Sequence, residues 1–321
     1  MISVPAQIRS RAGKRLSIIA PCYNEQEVLE LFFARMDPVL TAIGVGYEII
    51  CINDGSRDAT LAVLLAAQQR DARIKVIDLS RNFGKETALS AGLDAATGDM
   101  VVPIDVDLQD PPELIADFVA EWEKGADVAY GVRVDRSADS AAKRMSAQGF
   151  YRFFNRISDV PLPYNAGDFR LMDRRVVEVL KQLPERNRFM KGLFAWVGFK
   201  QVGVDYVRPE RAAGSSNWRY WTLWNFALDG LTSFSSVPIR IWSYVGFAAA
   251  VLAFIFAATI IGRTLLFGAD VPGYPSIVVI LLLSFGFQML AIGTLGEYVA
   301  RIYQEVKGRP LYIVAGRYGF D

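Results

Sequence analysis

Histidine is absent from all 321 positions of the sequence. That absence excludes serine–histidine–aspartate and cysteine–histidine catalysis, histidine general bases and zinc sites built on imidazole. An enzyme made from this chain works with carboxylates, lysine, arginine, hydroxyls and a hard cation. Cysteine is scarce: Cys22 and Cys51 are the only two. They are too few for a thiolate metal site, and their apolar surroundings mark them as small buried groups of a reducing compartment. Net charge is nearly absent, with 35 Lys+Arg against 34 Asp+Glu, so no global field draws nucleic acid. No G-x-G-x-x-G follows the first predicted strand and no G-x-x-x-x-G-K-[ST] occurs. Dinucleotide dehydrogenases and P-loop nucleotidases lose their main support.

Charge is also missing from two long stretches, Ile241–Gly262 and Val271–Gly296, which account for the mean hydropathy of +0.22. Twenty-odd helical residues reach roughly 30 Å, the thickness of a bilayer core. Two transmembrane helices are predicted, over 239–265 and 274–300; the plain alternative is a pair of buried core helices. Arg9, Arg11, Lys14 and Arg15 near the N-terminus precede no signal-peptide core. Arg240 precedes the first span, and Arg301, Lys307, Arg309 and Arg317 follow the second. The positive-inside rule puts both termini in the cytosol. Trp218, Trp221, Trp224 and Phe226 lie just before the first span, which suits an interfacial amphipathic segment over 211–238, or else the packing of a soluble helix. A basic arm over 1–15 and a cytosolic tail over 301–321 complete the organisation. There is no internal repeat.

Between the arm and the interfacial segment, strands alternate with helices. Strands are predicted at Leu16–Pro21, Tyr47–Asn53, Ile74–Leu79, Met100–Ile104 and Ala126–Tyr130. Helices are predicted at Glu25–Leu40, with Asn24 as N-cap, and at Ala59–Arg70, Lys85–Ala96 and Pro111–Lys124. The pattern calls for right-handed β-α-β units in a mostly parallel sheet covered on both faces. After Ala141 the rhythm becomes irregular, with a turn at Asn165–Asp168. In such sheets ligands bind beyond the carboxyl ends of the strands. Tyr23-Asn24-Glu25, Asn53-Asp54-Gly55, Arg81-Asn82 and Asp105-Val106-Asp107 all fall there and form one composite site.

In Asp105-Val106-Asp107-Leu108-Gln109-Asp110 the two carboxylates at i and i+2 share a face of an extended segment. Their repulsion is relieved by a divalent cation, and oxygen ligands without imidazole or paired thiolates select Mg²⁺ or Mn²⁺. The alternative is an acidic loop in which Asp110 caps the following helix. Asp54 beside Gly55 suits a base or ribose, or else a βα turn. Tyr23 suits stacking on a base, or edge packing. Arg81, Lys85 and Arg133 near strand ends or helix starts suit phosphates, or else solvated surface.

The combination of Pro-Cys-Tyr-Asn-Glu (21–25), Asn-Asp-Gly-Ser (53–56), Asn-Phe-Gly-Lys-Glu (82–86), Asp-Val-Asp-Leu-Gln-Asp-Pro (105–111), Gly-Asp-Phe-Arg-Leu (167–171) and two C-terminal spans resembles family 2 glycosyltransferases of the GT-A fold. More narrowly it resembles the polyprenyl-phosphate glycosyltransferases, bactoprenol glucosyltransferases and dolichol-phosphate-mannose-synthase-like enzymes among them. Met190-Lys-Gly and Leu295-Gly-Glu-Tyr strengthen the narrower match. The resemblance implies a Rossmann-like GT-A catalytic domain over 16–210. It also implies inverting transfer of a monosaccharide from a nucleotide sugar, UDP-glucose first, to undecaprenyl or another polyprenyl phosphate at the cytosolic face of the inner (cytoplasmic) membrane, for cell-envelope glycan modification. Another donor, such as GDP-mannose or an aminoarabinose derivative, and a non-catalytic membrane scaffold stay open beside it.

Carried over by motif, Pro21, Tyr23, Glu25, Asp54, Lys85 and Asp105 hold the nucleotide sugar. Asp105, Asp107 and Gln109 hold the metal, and Asp168 and Asp107 are the catalytic carboxylates. Arg133, Arg170, Arg211, Ser216 and Asn217 meet the acceptor phosphate. Asn217 stands where related sequences often carry lysine, with Arg219 nearby to compensate. The resemblance further implies a homotetramer. Two spans and the lack of a Gln-x-x-Arg-Trp signature speak against a processive polysaccharide synthase.

Overall fold

The computed structural model describes residues 8–134, 166–183, 185, 188–207, 237–267 and 273–320. The chain forms two compact units, one carrying all the described strands with the shorter helices, the other carrying two long helices.

The first unit is an α/β sheet. Its elements run β1 (Arg15–Cys22), α1 (Leu29–Ile43), β2 (Gly46–Asn53), α2 (Thr60–Arg70), β3 (Ile74–Leu79), α3 (Lys85–Ala95), β4 (Met100–Pro103), α4 (Leu114–Glu123) and β5 (Val128–Arg133). Then come β6 (Ala166–Asp173), α5 (Arg174–Gln182), α6 (Met190–Trp196), β7 (Gln201–Tyr206) and β8 (Val314–Tyr318). The strand order is β7-β5-β6-β4-β1-β2-β3-β8. The central strands β4, β1, β2 and β3 are parallel, as the alternation predicts. The flanks are not. β6 runs antiparallel between β4 and β5, and β8 runs antiparallel along β3, so the sheet is mixed rather than mostly parallel.

The core follows the pleat. Leu16, Ile18 and Ala20 point to one face of β1, where they meet Phe32, Met36 and Leu40 of α1 and Phe118 of α4. Each such buried side chain contributes about 1.5–3 kcal/mol. On the opposite face α3 presses so close that a Cβ on Gly92 would collide with the Ile19 side chain. Cys22 and Cys51 are buried free thiols, as their surroundings predicted.

Several local expectations change. Asn24 does not cap a helix; α1 begins at Leu29, behind Val28 and without a side-chain cap. Asn24 instead adopts a left-handed backbone, φ 55°, which asparagine tolerates. Its side-chain oxygen accepts from the Arg57 amide at 2.8 Å while its own amide donates to the Ser56 hydroxyl at 3.0 Å, so the loops after β1 and β2 are tied together. Asp110 does not cap α4, which starts at Leu114 behind Glu113. The turn expected at 165–168 is, over the described residues 166–168, the start of β6. Residues 301–321, expected as a tail, contribute β8.

The second unit holds α7 (Val237–Phe267, 31 residues) and α8 (Tyr274–Val306, 33 residues). They overlap the two charge-free stretches and run past them into charged residues, Arg263 in one and Glu297 and Arg301 in the other. The side chains of several positions in both lie outside the description, and among the described residues no helix is long and apolar enough to cross a membrane. The described faces are apolar and open, with Phe247 at 72% and Leu265 at 81% exposure. Trp242 Nε1 donates to the Thr294 hydroxyl at 2.9 Å, joining α7 to α8.

Candidate active site

The polar clusters predicted from the sequence lie in the loops that follow β1, β2, β3 and β4. In the loop after β4, Val106 and Leu108 are each 2% exposed, while Asp105, Asp107 and Gln109 face outward between them. The segment is a turn past the end of β4 rather than the extended stretch that the i, i+2 argument assumes, although burial alternates along it. Leu108 accepts a left-handed backbone, φ 57°, which its burial in the core enforces. The Gln109 amide donates to Asp107 Oδ1 at 3.1 Å.

Asp168 arrives from a different part of the chain. The β4–β6 register sets Met100 opposite Asp173 and Val101 opposite Met172. Asp105 lies two residues past the end of β4, and Asp168 lies near the start of β6. Lys85, the first residue of α3, bridges them: its Nζ lies 2.7 Å from Asp105 Oδ1 and 3.4 Å from Asp168 Oδ2. Pro21, Lys85, Asp105, Asp110, Asp168 and Phe169 line one cavity.

The electrostatics assign the protonation states. Burial would push Asp168 up, but Lys85, Lys191 and Arg170 hold its carboxyl down at about 2. Its Oδ1 is buried and, among the described residues, has no hydrogen-bond partner. Burial works against the Lys85 ammonium, and Asp105 and Asp168 more than compensate, so it stays charged. Glu86 behaves in the opposite way. Burial and the Asp168 charge push it to about 8, against the pull of Lys85 and Lys191. At neutral pH the centre therefore holds an ionised Asp168, a charged Lys85 and a protonated Glu86. A carboxylate held near 2 is a weak base, and its chemistry here is to orient cations and partners rather than to remove protons.

The remaining predicted residues fall into three groups. Tyr23 is 42% exposed and open to a stacking partner. Glu25 donates its amide to the Thr60 hydroxyl at 2.8 Å. Asp54 is 2% exposed, and its two oxygens accept from the Phe83 and Gly84 amides at 2.7 and 2.9 Å. It thereby fixes the loop that launches Lys85. Gly55 belongs to the same arrangement: at φ 62° its Cα lies so near the Arg81 backbone that a Cβ would collide with it. Arg81 itself stacks on Phe83 at 4.0 Å.

Arg170 does not reach an open phosphate site. It is 4% exposed, donates to the Gly167 carbonyl at 2.8 Å and lies 4.0 Å over the Phe194 ring. Burial lowers its pKa to about 10. It supports Asp168 from behind. Arg133 ends β5, and its Nε donates to the Tyr206 hydroxyl at 3.2 Å. Arg211, Ser216 and Asn217 lie outside the described residues, as does Arg219.

Three participants escaped sequence reasoning. Glu86 and Lys191 stand inside quoted motifs but were given no role, and only the fold brings their charges to Asp168. Tyr206 donates to Asp110 Oδ1 at 2.7 Å across 96 positions, and no local pattern marks it.

Asp105 and Asp107 provide two hard oxygen donors, and among the described residues no group of three His, Cys, Asp or Glu gathers around one point. Such a pair fits a cation that brings further oxygen ligands with it, as Mg²⁺ or Mn²⁺ does on a diphosphate. It does not make a cage for an isolated ion.

The family profile described as glycosyl transferase family 2 matches residues 17–181, which contain Lys85, Glu86, Asp105, Asp107 and Asp168. An uncharacterized glycosyltransferase of Synechocystis sp. is 50% identical over 306 residues, 95% of this chain and 96% of that protein. The prophage bactoprenol glucosyl transferase homolog of Escherichia coli K12 is 48% identical over 300 residues, 94% of this chain and 98% of that protein. The bactoprenol glucosyl transferase of Shigella phage SfX is 47% identical over 303 residues, 94% of this chain and 99% of that protein. A solved structure of glucosyl-3-phosphoglycerate synthase from Mycobacterium tuberculosis resembles the chain with a TM-score of 0.44 and 22% identity over 68% of this chain and 76% of that one, a likeness that carries no inference. The Lys85-bridged carboxylates thus sit inside the profile match, and with relatives this similar along nearly its whole length the chain belongs to glycosyl transferase family 2.

Proposed function

We propose that this glycosyltransferase moves glucose from UDP-glucose to a polyprenyl phosphate, undecaprenyl phosphate first, with inversion. A phosphate oxygen of the lipid attacks the anomeric carbon, the bond from that carbon to the nucleoside diphosphate breaks, and the products are polyprenyl-phosphate glucose and UDP. The observation that carries this reading is the Lys85 bridge between Asp105 and Asp168, a fixed cation between two carboxylates at the mouth of the strand ends. The names of the relatives in Escherichia coli and Shigella phage support the choice of glucose and bactoprenol.

The chemistry suits a chain without histidine. The second pKa of a phosphate monoester is about 6, so the acceptor is largely dianionic at neutral pH and needs positioning more than deprotonation. Asp168, held at about 2, orients Lys85 and is spared any role as a base. Asp105 and Asp107, with Gln109 adjoining, would hold Mg²⁺ or Mn²⁺, which supplies charge neutralisation to the departing diphosphate. Protonated Glu86 presents a donor to a sugar hydroxyl or phosphate oxygen. Tyr23, Pro21 and Glu25 form the nucleoside side of the cleft.

In the same proposal α7 and α8 cross the inner membrane, with the catalytic unit and both termini on the cytosolic side, where the lipid phosphate lies. The charge-free stretches and the open apolar faces support it. The implied homotetramer belongs to it too, and light scattering in detergent tests that assembly.

The deciding experiment offers the purified full chain in detergent undecaprenyl phosphate with UDP-glucose, UDP-galactose, UDP-N-acetylglucosamine or GDP-mannose, each with Mg²⁺ or EDTA. Metal-dependent transfer of label to the organic phase from UDP-glucose is expected, with Asp168→Asn slower by roughly 100-fold, the scale on which a single preorganised group acts. Transfer from GDP-mannose alone would replace the donor. No transfer from any donor, together with no nucleotide binding, would replace the enzyme by a scaffold.

A further inference from the structure

We propose that Tyr206 is a positioning residue for the acceptor phosphate, holding Arg133 against the reaction cavity through one shared hydroxyl. The inference rests on the reading above and names the device that aims its cation. Tyr206 ends β7, and Arg133 ends β5 directly opposite it in the parallel β5–β7 register. The tyrosine is 6% exposed. Its hydroxyl donates to Asp110 Oδ1 at 2.7 Å and accepts from Arg133 Nε at 3.2 Å. A hydroxyl has one proton to give, and here the proton goes to Asp110 while the oxygen takes the arginine.

One partner lines the cavity and the other lies beside it. Asp110 closes the Asp105–Asp110 loop and lines the cavity with Asp105 and Asp168. Arg133 lies behind the Asp168 side of it: its Nη2 is the nearest atom to a Cβ built on Gly167, at 3.7 Å, the residue immediately before Asp168. With Nε committed to Tyr206, the guanidinium keeps one orientation, and its Nη edge is the face a phosphate dianion would engage. The ring needs Gly131 beneath it, because a Cβ there would come within 2.8 Å of Tyr206 Cε1. Ring packing alone would be satisfied by phenylalanine. The hydroxyl does something that packing does not require.

The test uses the full chain in detergent micelles and the variants Y206F, R133A and Y206F/R133A. Tyr206→Phe should raise KM for undecaprenyl phosphate about tenfold, the worth of one hydrogen bond to a charged group. KM for UDP-glucose should stay within about twofold, a contrast that general loosening would not give. If Tyr206 acts through Arg133, the double variant should be no worse than R133A. Equal rises in both KM values, or effects that multiply, would overturn the inference. Direct binding of undecaprenyl phosphate by thermophoresis, without any donor, separates this from the identity of the sugar. Tenfold weaker binding by Y206F sustains the positioning role whatever sugar is transferred, and binding equal to that of the unaltered chain overturns it. No binding by the unaltered chain overturns this inference and the proposed acceptor together.

Discussion

Replacing Lys85 by methionine keeps most of the unbranched side chain and removes its charge. In the unaltered protein the ammonium lies 2.7 Å from Asp105 and 3.4 Å from Asp168. Coulomb attraction at the shorter distance is about 1.5 kcal/mol in a water-like dielectric and about 6 kcal/mol at an effective dielectric of 20. The Lys85 and Asp105 side chains are 44% and 33% exposed, so the water-like end applies: about 1.5 kcal/mol of attraction to Asp105 and about 1.2 kcal/mol to Asp168 at its longer distance. The variant presents two uncompensated carboxylates to an incoming anionic nucleotide sugar. kcat/KM for UDP-glucose should therefore fall roughly ten- to a hundredfold, since each 1.4 kcal/mol is a factor of ten. A second signature follows from Asp168. Burial already pushes that carboxyl up, and Lys85 leads the charges that hold it at about 2. Without Lys85 its pKa rises, so the variant should gain an acidic limb in its pH–rate profile that the unaltered chain lacks. Stopped assays of lipid-linked label across pH 4.5 to 9 read both effects. A K85M enzyme within about twofold of the parent, with an unchanged acid side, would show that the bridge is idle and that the charge argument for this centre is wrong.

Glu86 is the carboxyl whose pKa, about 8, falls in the working range. Because it is raised, the group is protonated below that value and ionises as pH rises through it, so activity should change across pH 7 to 9. Glu86→Gln, which cannot ionise, should flatten that region, and persistence of the limb in the variant would remove Glu86 from the site. Glu48, 0% exposed, accepts from Ser17, from the Thr97 amide and hydroxyl, and pairs with Lys75 at 2.9 Å. Glu48→Gln should cost about 3 kcal/mol, as losing one partner of a buried ion pair does. Calorimetry should show the catalytic unit melting roughly 6–12 °C lower. The Glu48 pKa is lowered to about 2 despite burial, by these hydrogen bonds. Its stabilisation is therefore complete above the ordinary glutamate range and is lost as pH falls toward 2, so the melting gap between parent and variant should narrow in acid. A constant gap down to pH 3 would refute that assignment.

What the sequence made legible was local. The alternation of apolar strands with helices located β1 to β4 to within a residue or two, because a strand buried on both faces has to be apolar throughout. The acidic pair at 105 and 107 was legible as a motif, with Val106 and Leu108 buried beside it, but the stretch is a turn beyond β4 and not the extended segment expected. The errors lie where a distant partner decides. Gly167 and Asp168 are turn-type residues, yet they extend as β6, which pairs with β5 on either side of them, at Ala166 and at Arg170. Asn24 and Asp110 are good caps by composition, and each found a stronger use across the fold, on Ser56 and Arg57 for one and on Tyr206 for the other. β8 follows two long apolar helices, and nothing in its five residues announces that they return to β3. The same division runs through the site. Asp105 and Asp168 were each visible as motif positions, but their meeting depends on an antiparallel strand inserted into an otherwise parallel region. That insertion has a chemical consequence. A parallel strand would present its carboxyl end at this edge. An antiparallel one presents its beginning, so the chain enters β6 at the cavity and Asp168 lies just inside the entrance, backed by the buried Arg170 two residues on. Residues i and i+2 of a strand share a face, which gives the carboxylate a fixed positive support that no loop of this length would hold as firmly. The depressed pKa of Asp168 is thus a property of strand direction as much as of the residues themselves.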